Sequence, residues 1–304
     1  DLDDRVLTLD YVGGEADGPQ NYSVGIDIAD ETLTLAAVVE RGYIDLDVFT
    51  DAQINTLKSE LTTLRDTYSG QELIVVSTGA VVEFFVASQV DELIIKGSEN
   101  NDRYKVDGLN GHIGKMTING LGGNDVIDVI ADTIAGKLDT LIIDGDGGAD
   151  IIYVDPSLLG AKAAGAYSIK GGTGDDRIKL AASKDDDASL PDANQHDYTG
   201  VFLEGEDGDD VIFGHTGTER VDGGDGNDVI ITYAGNEFIV GGLGEDFIDA
   251  GFGDDQIWGD LQNDVSSGDN DKLYGGDGED ELHGGGGADA IHGGSEVDII
   301  EGDL

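Results

Sequence analysis

The chain has 304 residues, with 16 Lys and Arg against 65 Asp and Glu, a formal net charge of -49 and no cysteine. Such a charge repels nucleic acid and anionic lipid, and the missing thiols exclude disulfides and thiolate metal sites. Hydrophobic residues still make up 38% of the chain and recur at regular intervals, so a core is expected, ringed by carboxylates that need cations. No apolar run is long enough for a membrane-spanning helix.

The first 96 residues carry no convincing repeat. Arg5–Val12, Tyr22–Ile28, Thr32–Val39 and Tyr43–Phe49 alternate apolar and polar residues, the period of half-buried strands. Thr50-Asp51-Ala52-Gln53 has the form of a capping box, Ile54, Leu57, Leu61, Leu64 and Tyr68 follow on one helical stripe, and Gly70 is a fitting stop. One helix is therefore expected over residues 50–68. Strands resume at Glu72–Val76, Val81–Ala87 and Glu92–Lys96. We expect residues 1–96 to form a β-rich N-terminal cap or lead-in domain, or a separate β-rich binding domain.

From residue 97 the pattern G-G-x-G-x-D-x-U-x recurs, where U is large and apolar. Strong forms begin at 171 (GGTGDDRIK), 223 (GGDGNDVII), 241 (GGLGEDFID), 275 (GGDGEDELH) and 284 (GGGGADAIH). Forms with one change begin at 120, 145, 205 and 250, and weaker ones at 97, 214, 232 and 293. Glycine permits positive φ and close backbone approach, so six residues can turn sharply and aim carbonyls inward. The aspartate adds a carboxylate to those carbonyls, and hard oxygens of this kind suit Ca²⁺. The three residues after it make a short strand whose U side chain fills a core.

These tandem repeats resemble the hemolysin-type calcium-binding repeats of the RTX family, over roughly two-thirds of the chain. The resemblance implies multiple Ca²⁺ ions held between stacked turns, with the sixth-position aspartate as side-chain ligand. It also implies bacterial export in an unfolded state through type I secretion, with folding outside the cell. The expected fold is all-β: a parallel β-roll or β-solenoid with calcium-binding turns over residues 97–304, preceded by the β-rich cap with its one helix.

Spacing sorts the aspartates. Starts at 205, 214, 223, 232, 241 and 250 differ by nine, which gives two alternating columns of turns. One holds Asp210, Asp228 and Asp246; the other holds Glu219, Glu237 and Asp255, whose two glutamates depart from the motif and are assigned no ion. After a seven-residue insertion Asp271 returns in register, and the columns continue through Asp280, Asp289 and Asp298. Upstream, starts at 97, 120, 145, 171 and 205 lie 23, 25, 26 and 34 apart, each interval with one motif. Only one column is expected there, extended by Asp102, Asp125, Asp150 and Asp176, while longer loops such as 184–197 close the other side.

No G-x-S-x-G elbow, H-E-x-x-H helix or cysteine nucleophile occurs, and the chain is not expected to be an enzyme. His283 and His292 lie nine apart, on opposite halves of a turn, and a shared ion is not expected. His112, His196 and His215 are read as loop residues, Asp185-Asp186-Asp187 as a solvated charge run, and Trp258 as outward sheet packing. The expected function is that of an extracellular calcium-binding structural protein, an adhesin, surface-layer or filament subunit. It would fold on Ca²⁺ and form homo-oligomers or polymers through its solenoid ends, without nucleic-acid partners or membrane insertion. The alternative is a calcium-dependent folding and secretion module of a larger secreted enzyme or toxin. The start at Asp1 and the absence of a visible secretion signal suggest a processed or truncated chain.

Overall fold

The computed structural model describes residues 6–10, 21–28, 35, 49–69, 72–78, 81–107, 113–130, 138–160, 162–181, 199–261 and 269–302. In chain order these form β1 (Val6–Asp10), β2 (Asn21–Ile28), α1 (Asp51–Tyr68), β3 (Glu72–Thr78), β4 (Val81–Val86), β5 (Glu92–Ser98), β6 (Arg103–Asp107), β7 (Lys115–Leu121) and β8 (Val126–Ile130). There follow β9 (Thr140–Asp144), β10 (Ile151–Val154), β11 (Tyr167–Thr173), β12 (Arg177–Leu180), β13 (Thr199–Asp207), β14 (Val211–Phe213), β15 (Thr218–Asp225) and β16 (Val229–Ile231). The last are β17 (Phe238–Leu243), β18 (Phe247–Phe252), β19 (Gln256–Asp260), β20 (Lys272–Asp277), β21 (Glu281–His283), β22 (Ala290–Ser295) and β23 (Ile299–Glu301).

From β5 onward successive strands alternate between two parallel sheets, the arrangement of a β-roll. The first sheet runs β1-β5-β7 and on through the odd strands to β23; the second runs from β22 back through the even strands to β6, then β2-β3-β4. One continuous core lies between them. In the first sheet Ile95, Ile118, Ile143, Ile169, Leu203, Val221, Ile239, Ile257 and Leu282 stack in register, each fully buried. In the second, Ile127, Ile152, Ile178, Ile212, Ile230, Ile248 and Leu273 do the same. Several of these are the apolar U residues of the repeat. Parallel strands covered on their inner face favour such β-branched rows.

The roll has a wide and a narrow section. Up to β13 the strands bury a second apolar row, Leu93, Met116, Leu141, Tyr167 and Val201 in the first sheet and Val106, Val129, Val154 and Leu180 in the second. Beyond β13 this second row ends: Val201 pairs with Glu219.

The N-terminal segment is built into both sheets. β1 pairs in parallel with β5 and sets Leu7 and Leu9 against Leu93 and Ile95, while β2 pairs in parallel with β6. β2, β3 and β4 then run antiparallel at the edge of the second sheet. α1 begins at Thr50, whose side chain accepts from the Gln53 N–H while the Gln53 side chain accepts from the Thr50 N–H; Leu57 and Leu61 are its buried stripe. Of the expected strand Thr32–Val39 only Leu35 is described, and it is helical. A four-residue alternation, Thr32 to Leu35, is too short to separate period 2 from period 3.6. The strand expected at 43–49, apart from Phe49, and the loop at 184–197 lie outside the described residues.

Candidate metal centre

The turn between β15 and β16, Gly223 to Asp228, shows how the sequence builds the site. Gly226 has φ +143°, and a methyl on it would strike the Gly208 carbonyl of the turn before. Glycine there lets consecutive turns stack at strand spacing. At Gly223 a methyl would strike both the Asp228 Oδ2 and the carbonyl of Gly241 in the turn after. The first glycine therefore keeps open a place where a carboxylate and a carbonyl oxygen converge. The same pairing occurs at Gly120, Gly145, Gly205, Gly241, Gly259 and Gly275.

The carboxylates form two continuous columns. In the first, the N–H groups of Asp102, Asp125, Asp150, Asp176, Asp210, Asp228, Asp246 and Asp271 each donate to Oδ1 of the next aspartate, ending on Asp289, at 2.6–3.1 Å. In the second, Glu237, Asp255 and Asp280 donate in the same way to Asp255, Asp280 and Asp298, at 2.8, 2.9 and 3.2 Å. The structure thus brings all twelve sequence-assigned aspartates into these columns. The first follows the turns from the first sheet to the second along the whole roll; the second, on the opposite side, is confined to the narrow section.

One carboxylate oxygen per turn is left over. Oδ2 of Asp125, Asp150, Asp176, Asp210, Asp228, Asp246, Asp255, Asp271, Asp280 and Asp289 is buried without a hydrogen-bond donor. Burial, opposed by the N–H bond from the turn before, pushes the Asp125, Asp176 and Asp246 carboxyls up to about 8 and Asp228 and Asp271 to about 7. Neighbouring carboxylates add to the rise. A buried oxygen of this kind demands a proton or a cation. Carboxylate and carbonyl oxygens with no nitrogen or sulfur among them fit Ca²⁺. Among the described residues no three His, Asp or Glu side chains converge on one point, so the carbonyls must supply much of each ion's shell.

Two turns differ. Asp102 heads the first column, but its Oδ2 already accepts from the Ser98 N–H at 2.8 Å and the Tyr104 hydroxyl at 3.0 Å. The Tyr104 hydroxyl fills the place beside Gly97 that the other turns leave open. In the second column the first-position residues of the Glu237 and Asp255 turns are Thr232 and Ala250, so side-chain carbons stand where the glycines keep space. Asp298 closes the second column in the last turn, half-buried.

Sequence reasoning overlooked a second ladder just outside the first. Asn124, Asp209, Asn227, Glu245 and Ala288, each preceding a column aspartate, donate their N–H to the Asn101, Asp175, Asp209, Asn227 and Asn270 side chains of the turn before. The signal was present as Asn and Asp at the fifth repeat position. His215 is buried, not in a solvated loop, because it takes the second position of a turn stacked on its neighbour. His283 and His292 stand on opposite sheets, stacked on Trp258 at 5.1 Å and Tyr274 at 5.0 Å. Phe238 lies on the other side of Trp258 at 4.7 Å. His112, His196 and Asp185 to Asp187 lie outside the described residues.

No curated protein matches the chain. The family model of the RTX calcium-binding nonapeptide repeat (4 copies) matches residues 202–230, 231–265 and 266–300. The match starts where the nine-residue period becomes regular, although the column of stacked aspartates reaches back to Asp102. Residues 202–300 are RTX calcium-binding nonapeptide repeats, which take up Ca²⁺ at multiple sites.

Proposed function

We propose that this protein is an extracellular calcium-folded structural element of a bacterial surface or matrix, an adhesin, surface-layer or filament subunit with no catalytic activity of its own. The observation that carries the reading is the pair of carboxylate columns with unpartnered buried oxygens. Without Ca²⁺ these oxygens repel one another and the glycine-rich turns are costly to order; with Ca²⁺, binding free energy becomes folding free energy. Extracellular calcium modules work at about 10⁻⁴–10⁻³ M, so such a chain stays unfolded inside a cell and folds outside. RTX repeat proteins are typically secreted bacterial proteins, which supports that location.

Self-association belongs to the same proposal. The final turn leaves Val297, Ile299 and Ile300 at 76%, 57% and 49% exposure, and Ile300 continues a row that is otherwise fully buried. No helix among the described residues is long and apolar enough to cross a membrane. The second reading is a folding module of a larger secreted enzyme or toxin, whose export and folding the same calcium-coupled roll would serve.

Sedimentation velocity with circular dichroism, in chelator and then in millimolar Ca²⁺, tests both. The structural reading expects a disordered monomer that becomes β-rich assemblies. A compact calcium-loaded monomer would move the function to a neighbouring domain.

A further inference from the structure

We propose that the Glu219 and Glu237 turns hold a divalent cation of their own beside Gly235, displaced from the place that the aspartate turns offer. These turns sit at the junction of the wide and narrow sections, where Glu219 follows Val201 in register. Glu237 is 2% exposed; neither of its carboxylate oxygens has a well-aligned hydrogen-bond partner, with the Glu219 N–H and the like-charged Asp255 carboxyl close enough to act on it. Its first-position residue is Thr232, whose hydroxyl donates to the Ala250 carbonyl at 3.0 Å. That carbonyl is spoken for, and the Thr232 and Ala250 side chains fill the space that glycine leaves in regular turns. The motif position is therefore closed to an ion here.

The extra methylene of glutamate opens another. A methyl at Gly235 would strike both the Glu237 Oε1 and the Gly217 carbonyl. In the aspartate turn, the equivalent Gly226 meets only backbone, the Gly208 carbonyl and the Asp209 N–H among it. Carboxylate and carbonyl thus converge at the fourth repeat position instead of the first, with the buried Glu219 and Asp255 carboxylates flanking them along the column. A carboxylate buried between two others with no well-aligned donor is costly unless a cation neutralises it, and an all-oxygen set suits a hard divalent ion. The ion inferred is Ca²⁺, the same ion that fills the aspartate sites.

The inference rests on calcium filling the aspartate columns, and the test separates the two. In an anomalous difference map of the full chain crystallised with Ca²⁺ or Tb³⁺, a peak is expected beside Gly235 in contact with the Gly217 carbonyl. Peaks along the aspartate columns with none at Gly235 would overturn this site alone; no peaks anywhere would overturn the calcium reading and this site with it. Native mass spectrometry at saturating Ca²⁺ gives the solution counterpart. Glu237→Gln should carry one ion fewer than the wild type, while Glu60→Gln on the exposed helix face keeps the full number. An unchanged number in Glu237→Gln refutes the site, and if that variant does not fold, the map of the unmodified protein decides.

Discussion

Removing calcium should make the stability of the roll fall as pH rises. In the absence of metal, Asp125, Asp176 and Asp246 are pushed up to about 8, Asp228 and Asp271 to about 7, and Asp150, Asp210 and Asp255 to about 6, chiefly by burial. Their folded-state values lie above those of the unfolded chain, so the folded form holds its protons more tightly. The metal-free roll is thus most stable below about pH 4 and loses stability as pH climbs through about 6 to 8. A carboxyl moved from 3.8 to about 8 costs on the order of 5 kcal/mol to ionise inside the roll rather than outside it. Even at half that figure, to allow for residual solvation, three such groups take up about 8 kcal/mol, within the range of a whole domain's stability. Calcium reverses the order, since it competes with protons for the same oxygens. Thermal melts by circular dichroism at about pH 5 and about pH 8, each in chelator and in Ca²⁺, read the effect. The chelated protein should be folded at the lower pH and unfolded at the higher, and the calcium-loaded protein at least as stable at the higher. Equal melting temperatures for the chelated protein at both would refute the argument.

Two further outcomes follow from the same columns. Asp228→Asn keeps an acceptor for the Asp210 N–H, bonded now at 2.8 Å, but removes a buried charge; it should raise the melting temperature in chelator at about pH 8 and lower it in Ca²⁺, by an amount equivalent to ~1–3 kcal/mol in each case. In limiting chelator, amide exchange should rise first across residues 214–302, where the strands bury a single apolar row, and last across 92–180, where they bury two, as read by mass-spectrometric hydrogen exchange.

The roll was legible because its period is written in side chains that cannot be exchanged. Glycine at 223, 224 and 226, aspartate at 228 and an isoleucine at 230 answer to three separate demands: open space, a carboxylate and the core. The upstream column was legible despite its uneven spacing, because a single motif per turn fixes one corner and leaves the other free. The capping box at Thr50 and Gln53 was local and therefore visible. What stayed hidden depended on contacts between distant residues. Nothing in the sequence of β1 announces that it pairs with a strand 86 residues away, Val6 with Glu92. Tyr104 reads as one more alternating apolar residue, and only stacking aims its hydroxyl at Asp102. The displaced Glu237 carboxylate needed the same three-dimensional view, since its meaning lies in Thr232 and Ala250, which occupy the space it would otherwise share.

Where the roll narrows also explains where the second carboxylate column begins. Each circuit of chain in the wide section orders a single glycine-rich turn and buries at least four apolar side chains, for example Met116, Ile118, Ile127 and Val129. In the narrow section a circuit of 18 residues orders two glycine-rich turns and sets two large side chains in the inner rows, for example Val221 and Ile230. Glycine loses the most conformational freedom on folding, so the hydrophobic return halves just as the ordering cost grows. A second column of carboxylates compensates only if cations fill it, because unneutralised charge would add to the deficit. The carboxylate side chain enters where the apolar row stops, at Glu219 beneath Val201. With cations in both columns, cohesion passes from the core to bound calcium along the chain, and the dependence on calcium should deepen toward the C-terminal turns.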